Sequence, residues 1–439
     1  MLKDVNRVQR AKRIAGTLAV AVAASLLALW ALSVLTPGTA MADGPSPHLT
    51  TDPVTDSCAA CHRIHTGSND RLFASVPEST LCFSCHDGTG ASSNVAAEYN
   101  DINVPADDPA TSSYYAHRLD TTPLHTSAQE EEFAGVLNRH SACSDCHNPH
   151  AASPALAQET AGGWTASGAL SGISGVSSAA GWQNPINYDY QLCLKCHSRY
   201  TVLLSSMTPT YNKTDKAAEF LPTTASYHPV EAPGKNATAA MQNSLNGGKL
   251  WQLSTGSTIR CTMCHGNYRL VGDPPTPNSP STTARLAPHT SKYRSLLIAN
   301  YRDRGLKPSN EAYNPADFTL CYLCHGEAPF TDKSGDNRND TNFRFHGYHM
   351  IDIGGEGGGG GLDINVLGAG QGNAICAECH FETHGTKLAP WAANQDYSRG
   401  VNFAPNAGPR SGATAPVWSS TDRTCALICH GKDHDNKNY

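Results

Sequence analysis

The sequence predicts a loop-rich fold with short α-helices and little β structure. Only 39% of its 439 residues are hydrophobic and 16% are charged, both below the averages of globular proteins. The chain instead carries 38 Gly, 27 Pro, 16 Cys and 20 His. So few apolar side chains cannot fill the interior of a chain this long, and we expect another group to occupy it. The net charge of −6 excludes a strongly basic nucleic-acid binder, and the charges are too thinly spread for a disordered acidic tail.

The first 42 residues have the pattern of an export signal. A basic front is followed by an apolar run over residues 14–35 and by the small-residue site Ala40-Met41-Ala42. We expect residues 1–42 to be a cleaved signal peptide and residues 43–439 to form a single domain. The alternative is an uncleaved anchor, because the apolar run is long enough to span a bilayer. In either case the rest of the chain crosses the membrane, and no other stretch is apolar enough to span it.

All sixteen cysteines fall into eight pairs, and a histidine follows each pair directly. Seven pairs have the spacing Cys-x-x-Cys-His, which is the attachment signature of c-type haem. They are Cys58/Cys61/His62, Cys82/Cys85/His86, Cys143/Cys146/His147, Cys193/Cys196/His197, Cys261/Cys264/His265, Cys321/Cys324/His325 and Cys376/Cys379/His380. The eighth, Cys425/Cys429/His430, has three residues between its cysteines. We number these motifs 1 to 8 in chain order.

The chemistry of haem attachment accounts for this spacing. Two thiols on one turn can add to the two vinyl groups of one porphyrin, and the adjacent imidazole then lies under the iron as an axial ligand. Zinc knuckles and disulfides also use paired cysteines, but neither needs a histidine after every second cysteine. In motif 8 the longer spacer must bulge, and a Cys425–Cys429 disulfide is its alternative. The sequence therefore predicts eight covalently attached haems c.

The second axial ligand of each iron is also predicted to be histidine. Residues 43–439 keep only Met207, Met241, Met263 and Met350, too few for His/Met ligation of eight haems. Twelve histidines remain for eight places, so we expect bis-His ligation, low potentials and no open iron. The candidate second ligands are His65, His125, His140, His150, His228, His289, His346, His349, His384 and His434. His48, His117 and His125 have weaker support, and any one of the twelve could instead contact solvent or a propionate.

Several candidates follow a motif histidine closely. His65 and His150 lie three residues after His62 and His147, and His384 lies four residues after His380. One segment cannot easily present both imidazoles to opposite faces of one iron. It can ligate its own haem and reach a neighbouring one, which favours closely spaced haem pairs.

Roughly fifty residues serve each motif, too few to wrap each haem in its own domain. We therefore expect one elongated body wrapped around a continuous chain of eight haems. Residues 151–180 and 354–361, rich in small residues or glycine, are predicted to be loops. Residues 291–304 have helical apolar spacing and predict a helix.

Seven Cys-x-x-Cys-His motifs, one Cys-x3-Cys-His and an export signal resemble the exported multihaem c-type cytochromes of metal-respiring microbes. The branch most similar is that of extracellular cytochromes that polymerise into conductive filaments. The resemblance implies bis-His ligation, near-parallel and T-shaped haem pairs in alternation, and a homopolymer in which a neighbouring subunit donates a histidine, a role that would suit His48. The haem count and the Cys-x3-Cys-His spacing depart from the filament members, so polymerisation is a hypothesis.

We expect the function to be electron transfer, with no bond made or broken. The implied partners are other cytochromes and redox proteins, an extracellular mineral or another terminal acceptor, but not nucleic acid. The alternatives are a monomeric periplasmic or pore-associated shuttle and a multihaem reductase of nitrite, hydroxylamine or a sulfur oxyanion. A reductase needs one iron with an open or lysine-ligated site, whereas every motif here keeps its histidine.

Overall fold

A computed structural model describes residues 48, 57–91, 93–100, 115–117, 119, 141–178, 181–198, 215–268, 287–302, 313–332, 341, 343–352, 374–386, 396–405, 407–429 and 432–438. The chain divides into two compact units, Met1–Asp52 and Pro53–Tyr439, and every described residue except His48 belongs to the second. The predicted signal peptide and the glycine-rich stretch 354–361 lie outside the described residues.

The helices are short because Gly, Pro and Cys-His motifs interrupt the chain every few residues. The α-helices are Ser57–Cys61, Glu78–Phe83, Val95–Asn100, Cys143–Cys146, Asp189–Cys196, Lys216–Phe220, Ala239–Asn246, Thr319–Tyr322, Ala328–Thr331 and Cys376–Cys379. Single 3₁₀ turns cover Gly168–Leu170, Cys261–Met263, Arg294–Leu296, Pro315–Phe318 and Ser398–Gly400, and a π-turn covers Tyr348–Asp352. In the part of the chain described, we find no helix with the length and apolarity needed to cross a bilayer.

The strands form small antiparallel sheets. They are β1 (Tyr115–Ala116), β2 (Glu159–Thr160), β3 (Gly163–Trp164), β4 (Gly175–Ser177), β5 (Gly181–Gln183), β6 (Thr290–Ser291), β7 (Ala407–Gly408), β8 (Val417–Ser419), β9 (Thr424–Cys429) and β10 (Lys432–Asn438). Strand β1 pairs with β6, β2 with β3, and β4 with β5. Strand β9 pairs with β10 on one side and with β7 and β8 on the other, which makes the largest described sheet.

In the described part of the chain, two clusters of buried apolar side chains lie among the motifs. The first surrounds the fully buried Trp251 and Leu323 and includes Leu194, Met263 and Ile298, from motifs 4 to 6 and their neighbours. The second contains Phe318, Tyr322, Met350, Ile375 and Ala377, beside motifs 6 and 7. Apolar packing is therefore concentrated around the central motifs.

The prediction of a loop-rich chain with short helices and little β structure is confirmed. The predicted loop at 151–180 includes the short strands β2 to β4. The predicted helix at 291–304 is wrong over its described residues, which begin in β6 and continue as a 3₁₀ turn. Ser295 and Leu296 have φ values of 57° and 59°, and two consecutive left-handed residues stop an α-helix.

Candidate haem-binding sites

The first seven motifs share one local structure, a single α-turn that runs from the first cysteine to the histidine. The backbone N–H of each motif histidine donates to the carbonyl of the first cysteine at 2.8 to 3.0 Å; this holds for His62, His86, His147, His197, His265, His325 and His380. Residues three and four apart lie on the same face of a helical turn. The turn therefore presents two sulfurs and one imidazole together, as attachment and ligation of a haem require.

Motif 8 has a different structure. Cys425 and Cys429 lie in the extended strand β9, and they share one face of the sheet with Leu427 because side chains alternate along a strand. His430 lies outside the described residues. The α-turn of the other seven motifs requires helical backbone from the first cysteine, and β9 is extended throughout.

Thiols of consecutive motifs come close to one another along the series, and at three junctions the first cysteines meet directly. A thiol hydrogen bond to Cys143 and burial raise the pKa of Cys82, and these two sulfurs, with the Glu78 carboxylate, place ligand atoms within 4.8 Å. Equivalent thiol hydrogen bonds join Cys193 to Cys261 and Cys321 to Cys376. We call these contacts, between motifs 2–3, 4–5 and 6–7, the first-cysteine junctions.

At the other junctions the second cysteines interact electrostatically. Burial, followed by the negative charges of Cys85 and Cys58, raises the pKa of Cys61. Burial raises the pKa of Cys196 to about 12, with a further contribution from Cys146. Burial also raises the pKa of Cys324 and Cys379, and the added charges come from Cys264 and from Cys429 respectively. These second-cysteine junctions, between motifs 1–2, 3–4, 5–6 and 7–8, alternate with the first-cysteine junctions.

Among the described residues, five pairs of imidazole rings have centroids 5.9 to 6.3 Å apart. The centroid distances and interplanar angles are 6.0 Å and 18° for His62–His150, 6.3 Å and 59° for His147–His289, 6.3 Å and 59° for His117–His197, 5.9 Å and 28° for His265–His384, and 6.3 Å and 33° for His349–His434. Two metal–imidazole bonds of about 2 Å, plus about 1 Å from each ring nitrogen to its centroid, give roughly 6 Å. The ring pairs therefore leave the space that one iron between two imidazoles needs.

Two further rings lie near motif histidines. Burial lowers the pKa of His325 to about 4, and the charges of His228 and His380 add to the effect. Burial lowers the pKa of His346 to about 3, again with a contribution from His380. His228 thus lies near motif 6, and His346 lies near motif 7. Burial keeps these imidazoles neutral at neutral pH, the form in which histidine binds a metal.

Backbone carbonyls and side-chain oxygens hold the Nδ1 atoms of many of these histidines. The backbone carbonyl oxygen of Arg71 lies 2.8 Å from His62 Nδ1, that of Ala169 lies 2.9 Å from His147 Nδ1, and that of Ser295 lies 2.8 Å from His265 Nδ1. Likewise, the Pro288 carbonyl oxygen lies 2.7 Å from His117 Nδ1, and the Gly400 carbonyl oxygen lies 3.0 Å from His380 Nδ1. A hydrogen bond at Nδ1 fixes the ring and leaves Nε2 for a metal.

Two of the candidate second ligands contact a carboxylate instead. His289 Nδ1 lies 3.1 Å from Glu98 Oε2, and His384 Nδ1 lies 3.2 Å from Glu219 Oε2. Burial alone would raise the pKa of Glu219, but the hydrogen bond from His384 and the charge of Lys216 lower it. A carboxylate partner makes an imidazole a more basic ligand than a carbonyl does.

Short antiparallel pairings of the backbone place the candidate second histidines beside the motifs in pairs. Strands β1 and β6 pair, and His117 N–H donates to the His289 carbonyl at 3.1 Å. These two histidines face motifs 4 and 3. Likewise His228 N–H donates to the His384 carbonyl at 2.9 Å, which places candidate ligands beside motifs 6 and 5. A Cβ at Gly385 would lie 2.0 Å from the Glu219 carbonyl oxygen, so only glycine permits this close approach.

The structure brings together most of the predicted histidines. Among the second ligands, His150, His228, His289, His346, His349, His384 and His434 lie near another histidine ring. His65 is exposed, and His125, His140 and His430 lie outside the described residues. His117, which the sequence supports only weakly, lies opposite His197. No motif lies close to His117 in the sequence. Only the comparison of the twelve remaining histidines with the eight expected irons could have indicated it as a ligand.

A family model described as "doubled CXXCH motif" matches residues 52–91, which contain motifs 1 and 2. No curated protein and no solved structure matches the chain. The match indicates covalently bound haem c and supports a c-type cytochrome involved in electron transfer. Such a protein is consistent with export.

Proposed function

We propose that this protein carries eight covalently attached, bis-His haems and relays electrons outside the cytoplasmic membrane, as a subunit of an extracellular conductive filament. The haem irons, when bound, supply one-electron redox chemistry. The cysteines would attach the cofactors, the paired imidazoles would supply the iron ligands, and the buried surroundings would keep water from those ligands. The proposal makes the protein an electron carrier and not an enzyme.

The alternating junctions are the observation that carries this proposal. In chain order from motif 1 to motif 8, a thiol of each motif interacts with a thiol of the next, through a hydrogen bond at three junctions and through electrostatic repulsion at the other four. Each sulfur would be attached to the edge of a porphyrin, so interacting sulfurs would hold the edges of successive cofactors near one another. An uninterrupted series of this kind suits a relay, whereas a catalyst needs only a few centres that lead to one open site.

Intact mass and spectroscopy of the purified protein test the relay. We expect eight haem additions for each chain and a wholly low-spin ferric spectrum, because two imidazoles saturate each iron. We also expect full reduction by a small excess of a low-potential reductant. Fewer than eight additions would overturn the haem count. One high-spin haem in each chain that binds nitrite or cyanide without denaturation would favour a multihaem reductase.

The filament part of the proposal rests on the resemblance and on the surface beside motif 1. Ile64 is 79% exposed and lies next to the exposed His65. Contact surfaces are marked by contiguous apolar patches, and we assign Ile64 to such a patch at motif 1. Motif 1 begins the series of junctions, so a second chain would have to dock there, or at motif 8, to extend the electron path.

A matched pair of variants separates a filament from a monomeric shuttle. We expect electron microscopy of extracellular material to show ordered fibres for the native protein, and Ile64→Asp to abolish them without loss of haem. Leu156→Asp is the control, because Leu156 is 47% exposed at a site away from motif 1 in the sequence. Monodisperse particles for the native protein would instead support a periplasmic or pore-associated shuttle.

A further inference from the structure

The residue that directly precedes the second cysteine is buried in each of motifs 3 to 7. In chain order, and each at most 4% exposed, these residues are Asp145, Lys195, Met263, Leu323 and Glu378. Met263 and Leu323 belong to the larger apolar cluster, whereas the other three side chains are ionisable. Burial of a charge costs free energy, and the apolar residues of motifs 5 and 6 avoid that cost at the same position.

Lys195 lies at the junction between motifs 3 and 4 and is 1% exposed. It directly precedes Cys196 at the end of its helix, and its ammonium group donates to the Asp145 backbone carbonyl at 2.5 Å. Asp145 in turn directly precedes Cys146. The lysine side chain therefore reaches from the second cysteine of motif 4 to the second cysteine of motif 3.

The charge of Lys195 acts on both of these cysteines. Burial raises the pKa of Cys146 and of Cys196 to about 12, and the strongest charge acting on either thiol is that of Lys195, which lowers the pKa. The negative charge of Asp145 acts on both thiols more weakly. Its carboxylate accepts the Ala142 N–H at 2.6 Å, within motif 3. Of the lysine and the aspartate, the positive group therefore prevails at both sulfurs.

Glu378 has the opposite charge at the same position of motif 7. It is 4% exposed and directly precedes Cys379. Burial raises the pKa of the Cys379 thiol, and the negative charges of Cys429, Cys425 and Glu378 add to the effect. Motifs 4 and 7 share the same α-turn from first cysteine to histidine. They differ in the sign of the charge that is buried beside the second cysteine.

We propose that Lys195 raises the reduction potentials of the haems at motifs 3 and 4, and that Glu378 lowers the potential of the haem at motif 7. The inference rests on the proposed attachment of haems at these motifs. Reduction of a haem adds one negative charge, which a nearby cation stabilises and a nearby anion opposes. A buried charge is screened much less than an exposed one. The two residues thus favour electron movement from motif 7 toward motifs 3 and 4.

Potentiometric titration of the full-length protein tests this inference. Lys195→Met introduces the residue type that motif 5 has at this position. We expect it to shift the equilibrium of two haems roughly tenfold toward ferric iron, which lowers each potential by about 59 mV. Lys195→Arg keeps the charge and should leave both potentials near their native values. An unchanged curve for Lys195→Met, or an equal shift for Lys195→Arg, would overturn the role of the lysine charge.

Glu378→Gln removes a charge with almost no change in shape, so it tests the electrostatic effect independently of the lysine variants. We expect the potential of one haem to rise by a similar amount. An unchanged potential, or a fall, would overturn the role of Glu378.

Lys235→Met is the matched control. Lys235 also donates to a backbone carbonyl, that of Thr224, but it is exposed, so we expect all potentials to remain unchanged. A shift as large as that of Lys195→Met would attribute the effect to net charge and overturn the inference.

Peptide mass and the low-spin signal in electron paramagnetic resonance, measured for every variant, separate this inference from the proposed function. Native protein without haem on the peptides of motifs 3, 4 and 7 would overturn the proposed function. Attached low-spin haems whose potentials do not respond to Lys195→Met and Glu378→Gln would overturn only the inference.

Discussion

The helical motifs 4 to 6 and the strand motif 8 present the same residue types on different backbones. On a helical turn, side chains three or four apart lie about 5–6 Å from one another, so cysteines and histidine converge without help from the rest of the chain. Along β9, Cys425 and Cys429 are about 13 Å apart at the backbone, much farther than two cysteines on one α-turn. A helical motif is thus locally complete, whereas the strand motif depends on tertiary structure.

The surroundings of the two regions differ as well. Motifs 4 to 6 lie within the larger apolar cluster, around Trp251 and Leu323. Motif 8 lies on a sheet whose outer strand β10 has exposed residues, including Asp433 and Asp435 on either side of His434. We therefore expect changes near motif 5 to affect the whole fold, and changes near motif 8 to remain local.

Removal of a central attachment site should have the largest effect. Cys261→Ser/Cys264→Ser removes both attachment thiols of motif 5, and loss of the proposed haem there would leave a large void in the apolar cluster, so we expect a loss of more than about 4 kcal/mol of unfolding free energy. Cys425→Ser/Cys429→Ser should leave seven low-spin haems and a much smaller loss. Thermal unfolding combined with intact mass measures both. Equal losses would show that the strand motif is as integral to the fold as the helical motifs.

Truncation of a buried tryptophan compares packing in the two regions. Trp251 is fully buried and Trp418 is 5% exposed. We expect Trp251→Ala to cost about 3–5 kcal/mol in chemical denaturation. Trp418 lies opposite Cys425 in the sheet, so Trp418→Ala should disturb mainly the eighth haem, seen as a change in one eighth of the low-spin signal. A change spread over several haems in Trp418→Ala would contradict the local role of this sheet.

The carboxylate at His384 gives a smaller and more specific test. Glu219→Gln replaces a charged acceptor by a neutral one, and the difference between such hydrogen bonds is about 1 kcal/mol, or roughly 40 mV for one electron. We expect the potential of one haem to rise by this amount in a potentiometric titration, because the more basic imidazole favours ferric iron. The same change at Glu98 should raise a second potential. An unchanged titration curve would mean that neither carboxylate tunes a haem.

The smallest expected effect concerns the exposed ion pairs of the hairpin. Arg410 donates to Asp433 at 2.8 Å and to Asp435 at 2.5 Å, the two neighbours of His434. Exposed ion pairs contribute little to stability, so Arg410→Ala should leave the melting temperature almost unchanged. We expect faster displacement of one axial histidine by cyanide, with a rate difference that shrinks as salt rises. Arg423→Ala, another exposed arginine, is the control and should leave the rate unchanged.

Local features of the fold and site were predictable from sequence, and remote contacts were not. Short helices at the motifs follow from Cys-x-x-Cys-His spacing and from abundant Gly and Pro. The spacing also marked His150, which faces His62 from a later motif. The prediction of a helix at 291–304 was wrong because the spacing of apolar residues does not reveal the left-handed backbone of Ser295 and Leu296. In this turn the Ser295 carbonyl lies opposite His265 Nδ1.

The sequence by itself determined which atoms could bind a haem, because attachment thiols and a proximal imidazole need only five consecutive residues on one α-turn. Only the tertiary structure decided which second histidine faces which first one. His117 meets His197, and His147 meets His289, across long stretches of chain, because backbone pairing between β1 and β6 brings His117 and His289 together. Pairing of this kind depends on register and packing between distant segments, and neither is encoded in any single motif.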